Sequence, residues 1–331
     1  MTDVLLRQVA LVSESSRISA SDVARVSAAL QKQASRDLVQ FWNVKATVDA
    51  FPRLEDVPIG YWPIIVMDDI HTSGAEGVHE DKNGQPFALV TSSDQLAGWS
   101  LTASHEMIEM LVDPFGSRLV ACDSPKSDQG RAQILVEACD PSEAADYAYT
   151  VNGILVADFY SPRYFDPVAA PGVRYSFTGA IEAPRQVLRG GYLSWQDVAS
   201  NSWWQETWFD GDAPSFRSLG TLSAENGNFR SQIDRITSKS TMQALAPGFS
   251  AAKAAGVPIA FIERASADHA SRLRQQIDGL IYGGETQQAE ARQAGPGQLS
   301  AFGRAQTDAA KRSKRAAAPG LRAAPSLRAV S

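Results

Sequence analysis

His105, Glu106 and Glu109 fall within one short stretch, Trp99-Ser-Leu-Thr-Ala-Ser-His-Glu-Met-Ile-Glu-Met-Leu-Val-Asp113. The apolar residues Leu101, Ile108, Met110, Leu111 and Val112 recur at helical spacing, and Pro114 marks the stop. His105 and Glu109 are four apart and project from the same helix face. One imidazole and two carboxylates in an otherwise apolar helix are costly to bury unless each has a partner. A divalent cation is one such partner.

The elements that must position this helix read in order. Residues 4–12 form a strand. Ser19 or Ser21 caps a helix running to about Val39, with Val23, Val26, Leu30 and Leu38 on its apolar side. The β-branched alternation from Val44 to Phe51 is a second strand, and the continuous apolar run 62–67 is a strand buried on both faces. Residues 74–84 read as a polar loop and 87–91 as a short strand, after which the His105 helix starts near Ser93 or Asp94. Beyond Pro114 come a strand pair at 119–122 and 134–139 and a hairpin 147–157 turning on Asn152-Gly153. A further strand is expected over 173–180, with a turn at Gly190-Gly191. Trp195, Trp203, Trp204 and Trp208 cluster in one stretch, which reads as a packed satellite core.

His-Glu-Met-Ile-Glu at 105–109, preceded by strand, helix, strand, strand and short strand, resembles the zincin metallopeptidases. Their signature, H-E-x-x-H on a helix, supplies two zinc ligands one turn apart and a glutamate base. The resemblance covers about residues 4–114 and implies His105 as first ligand, Glu106 as general base, and Glu109 as second ligand in place of the family's histidine. A carboxylate can ligate zinc, but exchanging a neutral ligand for an anion makes the ion a weaker Lewis acid. The resemblance also makes Phe87-Ala88-Leu89-Val90 an edge strand that binds extended peptide. A catalytic zinc takes three protein ligands, and the family draws the third from a downstream segment. Glu137, in an apolar strand context, is the leading candidate there. Asp140 and Glu143 are nearby, but Asp140-Pro is also an ordinary turn opening. Asp113 is a candidate that doubles as an Asp-Pro helix stop, and His79, in the polar loop, is either a ligand or an electrophile. His71 and His269 read as structural, and Tyr147, Tyr149 and Tyr164 are possible oxyanion donors.

The expected fold class is therefore α+β. A zincin-like mixed sheet with its active-site helix (1–114) is followed by a β-rich lower lobe (115–220), a helical C-terminal region (221–284) and a disordered basic tail (285–331). Amphipathic helices are expected over 228–245 and 265–281, with a short apolar segment at 257–262 between them. Residues 301–331 carry seven basic residues against Asp308, a net of +6 that leaves −12 on the remainder of a chain of net charge −6. Such a tail suits solvation, or docking on an acidic partner or on the acidic body of the protein itself.

A hydrophobic share of 44% and a charged share of 21% are those of a globular protein and argue against an intrinsically disordered chain. The mild acidity gives no support to nucleic-acid binding. No apolar run reaches the length of a membrane span, and the first residues lack a signal-peptide pattern, so the cytoplasm is the expected compartment. The two cysteines, Cys122 and Cys139, form no disulfide framework and read as free thiols. The functional expectation is a zinc-dependent peptidase acting on a peptide or protein through metal-activated water, with Glu106 as base. Two alternatives stand beside it: a catalytically degenerate zincin-fold protein that serves as a structural or protein-binding component, and an α+β domain in which His105 and Glu109 are simply a satisfied polar pair.

Overall fold

Leu6–Ser13 (β1) and Lys45–Phe51 (β2) pair in parallel, with Val9 opposite Val48, and between them the chain crosses over through the helix Ala20–Lys32 (α1). The computed structural model describes residues 6–72, 75–209 and 211–240. Ser19 caps α1 by accepting from the Asp22 amide. The helix stops at Lys32 rather than near Val39, because a π-turn (Gln33–Asp37) and a 3-10 turn (Leu38–Gln40) follow. The wider turn coincides with Gln33 being buried: its side-chain amide donates to Ala157 O at 3.0 Å and its Oε1 accepts from Ser104 Oγ at 2.7 Å.

Trp62–Met67 (β3) lies on the other side of β1, also parallel, and its run of apolar residues is buried on both faces as its sequence predicts. Gln85–Thr91 (β5) pairs in parallel with β3, and Gly77–Lys82 (β4) pairs antiparallel with β5, giving the order β2-β1-β3-β5-β4. This corrects two expectations. The stretch 74–84 is largely a strand, not a loop, and Phe87-Ala88-Leu89-Val90 is an interior strand flanked on both sides. The edge strand on that side is β4, with β2 at the opposite edge. The hairpin joining β4 and β5 turns on Asn83 (φ 53°) and Gly84 (φ 79°), the left-handed pair that a type I′ turn requires.

Leu96–Val112 (α2) packs on one face of this sheet. Its two buried serines are satisfied: Ser100 Oγ donates to Leu155 O at 2.8 Å and Ser104 Oγ accepts from the Ala157 amide at 2.9 Å. Those partners belong to the hairpin Tyr149–Val151 (β8) and Ile154–Val156 (β9), whose turn residues Asn152 and Gly153 have φ of 53° and 76°, as the sequence predicts, and to the residue following it.

A second, wholly antiparallel sheet has the order β12-β11-β10-β7-β6. It comprises Leu119–Asp123 (β6), Arg131–Leu135 (β7), Tyr192–Asp197 (β10), Ser202–Thr207 (β11) and Ser215–Gly220 (β12). The expected strand at 134–139 ends at Leu135, which leaves Glu137 just beyond it. The expected strand at 173–180 reduces to one bridge between Tyr160 and Ser176. One apolar core joins both sheets, running from Val9 and Ile64 through Met107 to Ile134 and Trp195. The tryptophans divide: Trp195 belongs to this core, while Trp203 packs in a satellite cluster with Leu135 and Ile233. Ile233 lies on the helix Phe229–Ser240 (α3), the described part of the helix expected over 228–245. The segments expected over 257–262 and 265–281, and the basic tail, lie outside the described residues. The described chain is thus mixed α+β, and among its residues no helix is long and apolar enough to cross a membrane.

Candidate metal centre

The site lies where α2 passes beneath β4. Gly77 makes that approach possible: a Cβ there would fall 2.5 Å from Thr102 Cγ2 and 2.6 Å from Glu106 Oε1. Strand alternation then turns Val78 to the outer face of the sheet and His79, opposite Ala88 in the register, toward α2. His79 is 1% exposed, and its Nδ1 lies 3.4 Å from Glu106 Oε2 and 3.6 Å from Glu109 Oε2. Its Nε2 lies 3.8 Å from Glu137 Oε2.

His105, one turn before Glu109, holds its Nε2 3.2 Å from Glu109 Oε2 and 3.1 Å from Asp140 Oδ1. Asp140 opens a 3-10 turn, Asp140–Ser142, with Pro141 in its first turn. Gly191, next to β10, allows that turn to be packed closely, since a Cβ there would sit 2.6 Å from the Asp140 carbonyl oxygen. Glu109 Oε1 accepts from the Cys139 amide at 3.0 Å, which leaves Oε2 facing both imidazoles. Cys122 and Cys139 are both buried free thiols.

These contacts form two triads of possible ligands, His79–Glu109–Glu137 and His105–Glu109–Asp140. The expected set His105, Glu109 and Glu137 is therefore divided: Asp140 joins His105, and Glu137 joins His79. Asp113 belongs to neither. Its Oδ2 accepts from the Arg118 amide at 2.7 Å and closes the helix end, as an Asp-Pro stop does. Tyr149 and Tyr164 are committed elsewhere, donating to Asp37 at 2.9 Å and to the Gln186 carbonyl at 3.1 Å. His71 sits on the surface loop after β3, its amide bonded to Asp69 Oδ1 at 2.7 Å.

Arg230 is absent from the sequence-based candidate set. Asn228 caps α3 by accepting from the Ser231 amide at 2.7 Å, and Phe229 packs on Trp203 with ring centroids 4.8 Å apart. The Arg230 amide donates to Gly116 O at 2.9 Å. A side chain at Gly116 would crowd Arg230 Cβ at 2.8 Å, and its φ of 56° also favours glycine. So anchored, Arg230 places Nη1 2.8 Å from Asp140 Oδ2, 2.9 Å from Glu137 Oε2 and 3.5 Å from Glu109 Oε2, while Nε bonds Asp234 at 3.0 Å. No spacing signal links residue 230 to a motif at 105–109; only the tertiary fold brings them together.

The electrostatics follow from this crowding. Burial favours the neutral form of both histidines, but Glu106 and Glu109 outweigh it at His79, and Glu109 and Asp140 outweigh it at His105, so both imidazoles are pushed up, His105 strongly. Burial also opposes ionisation of Glu109, yet His105 and Arg230 hold it well below the usual carboxylate range. For Glu137, burial prevails over the attraction of Arg230 and the carboxyl is pushed well up. Asp140 is raised for the same reason.

The residues fit a divalent cation. Two donors bound at about 2.1 Å in tetrahedral geometry stand about 3.4 Å apart, close to the 3.1–3.6 Å gaps from His105 to Glu109 and Asp140 and from His79 Nδ1 to Glu109, while Glu137 stands 3.8 Å from the other ring nitrogen of His79. Both ring nitrogens of His79, Oε2 of Glu106, both carboxylate oxygens of Glu137 and Oδ1 of Asp140 are buried without a hydrogen bond. Mixed imidazole and carboxylate donors suit first-row divalent ions.

No protein-family model matches the chain, and neither a curated protein nor a solved structure matches it.

Proposed function

We propose that the chain is a zincin-like, zinc-dependent peptidase whose metal is held by His105, Glu109 and Asp140. The observation that carries this reading is the spacing of His105 Nε2 at 3.2 and 3.1 Å from two buried carboxylates, one of them four residues along the same helix. The order of elements supports it as well: a parallel sheet, an antiparallel edge strand and then the helix with His105-Glu106. When bound, zinc supplies Lewis acidity toward a carbonyl and toward water. Glu106, 3% exposed and with Oε2 free of any hydrogen bond, is the base that takes and returns the proton. β4, the terminal strand of the sheet among the described residues, rather than β5, pairs with an extended peptide backbone. His105 keeps 12% of its side chain exposed and marks the side from which a substrate reaches the centre. The test is Glu106→Gln in the full chain. The variant retains bound zinc and loses turnover on a peptide library; undiminished turnover removes Glu106 from its role.

One observation favours a second reading, a degenerate zincin-fold protein with a structural or protein-binding role. Arg230 already brings a positive charge to Glu109, Glu137 and Asp140. In that reading the guanidinium replaces the metal permanently and the cluster is a buried ion-pair lock. Metal analysis of the protein purified without chelators separates the two. The peptidase reading expects zinc, lost in His105→Ala; the lock reading expects none in either protein.

A further inference from the structure

The donor atoms of each triad lie within 4.8 Å of one another, and among the described residues neither group contains both histidines. A single ion with bonds of about 2.1 Å cannot take donors more than about 4.2 Å apart, even when they are opposite one another. The five side chains therefore do not converge on one point. They share one residue, Glu109, whose Oε2 lies 3.2 Å from His105 Nε2 on one side and 3.6 Å from His79 Nδ1 on the other.

Ion pairs account for His79 and Glu137 only in part: Glu106 and Glu109 stand 3.4 and 3.6 Å from His79 Nδ1, and Arg230 2.9 Å from Glu137 Oε2. Each is almost fully buried, at 1% and 4% exposure, and the two ring nitrogens and two carboxylate oxygens make no hydrogen bond. Leaving such groups unsatisfied costs about 1–3 kcal/mol apiece, more when charged. Arg230 approaches only one of the two Glu137 oxygens. His79 stands at a place of close packing between β4 and α2, where an apolar residue would cost less.

We propose that the cluster is a two-ion centre bridged by Glu109, with one divalent ion on His105, Glu109 and Asp140 and a second on His79, Glu109 and Glu137. This rests on the metal-binding reading above and extends it. The second position is the deeper one, because its histidine and carboxylate side chains are 0–6% exposed whereas the His105 side chain keeps 12% exposure. Such a pair clamps two oxygens of a reacting group at once, with Glu106, next to His79, beside the inner ion.

The experiment is zinc titration of the full chain by equilibrium dialysis with elemental analysis, beside His79→Gln and His105→Gln, with circular dichroism to verify folding. The proposal expects two zinc ions per wild-type chain and one in each variant. It also expects an exchange-coupled electron paramagnetic resonance spectrum when Mn2+ replaces Zn2+. Saturation at one zinc per wild-type chain, with an isolated Mn2+ spectrum, overturns the second ion and leaves the mononuclear reading intact. No zinc in any protein overturns both. The wild-type stoichiometry and the Mn2+ spectrum decide the matter even if His79→Gln does not fold.

Discussion

Arg230 Nη1 lies 2.8 Å from Asp140 Oδ2, although the two residues are far apart in the chain and come from different layers of the fold. The proposed divalent ion would have to compete with this guanidinium for Asp140, Glu137 and Glu109. Truncating one partner of a buried charge cluster costs about 3–5 kcal/mol. Arg230→Met therefore destabilises the metal-free protein by about that much, and added zinc restores most of it. Zinc affinity rises at least tenfold, about 1.4 kcal/mol. Thermal melting with and without zinc reads this directly; a zinc-induced shift no larger than that of the wild type contradicts the competition.

The raised histidines give opposite pH slopes for metal-free stability and for metal affinity. Both imidazoles bind a proton more tightly in the folded chain than in the unfolded one. Their stabilisation is full below the unfolded value of about 6.5 and is lost as pH rises through the folded values. Zinc requires neutral imidazoles, so its affinity increases over that range and binding releases protons. Calorimetry in buffers of different ionisation enthalpy measures the release. Binding enthalpies independent of buffer exclude it.

Gly77→Ala tests the closeness of β4 and α2. The added methyl meets Thr102 and Glu106 at 2.5–2.6 Å, so strand and helix separate or Glu106 turns away. A stability loss of about 1–3 kcal/mol is expected from overpacking, with a fall in zinc affinity because His79 moves with the strand. Unchanged stability and zinc affinity in Gly77→Ala contradict this packing account.

How much of this was legible in the sequence is best seen at particular residues. Ile64, Ile65 and Val66 betray a doubly buried strand because each face needs apolar residues. Asn152-Gly153 betrays a hairpin because few other pairs tolerate two positive φ angles. Asn83-Gly84 carries the same signal and marks the β4–β5 hairpin, but the charged residues of Glu80-Asp81-Lys82 make its first strand look like loop. The sequence pattern therefore points to 87–90 as the edge strand and puts His79 in a loop. His105, Glu106 and Glu109 are legible because helical periodicity fixes their shared face. The pairing of Glu137 with His79, and the arrival of Arg230, depend on how two sheets and α3 close on one another, which local pattern does not encode.

Glu206 on β11 offers a control at a carboxyl outside both triads of proposed ligands. Burial alone raises its carboxyl to about 7 from 4.5. The folded chain then holds that proton more tightly, and stability falls as pH rises from about 4.5 to about 7 and levels off above. The span is worth about 3 kcal/mol at most. Glu206→Gln, nearly isosteric, flattens this part of the denaturation-midpoint curve and leaves zinc binding unaffected. An unaltered pH profile would show that Glu206 does not titrate there.

The proposed function requires a divalent ion among His105, Glu109 and Asp140. Anomalous diffraction at the zinc edge, from crystals of the zinc-loaded full chain, tests it most directly. An anomalous peak is expected between His105 Nε2 and the two carboxylates, with Arg230 displaced from Glu109. Fully loaded crystals with no peak in the cluster, and Arg230 still bridging Asp140 and Glu137, would contradict it.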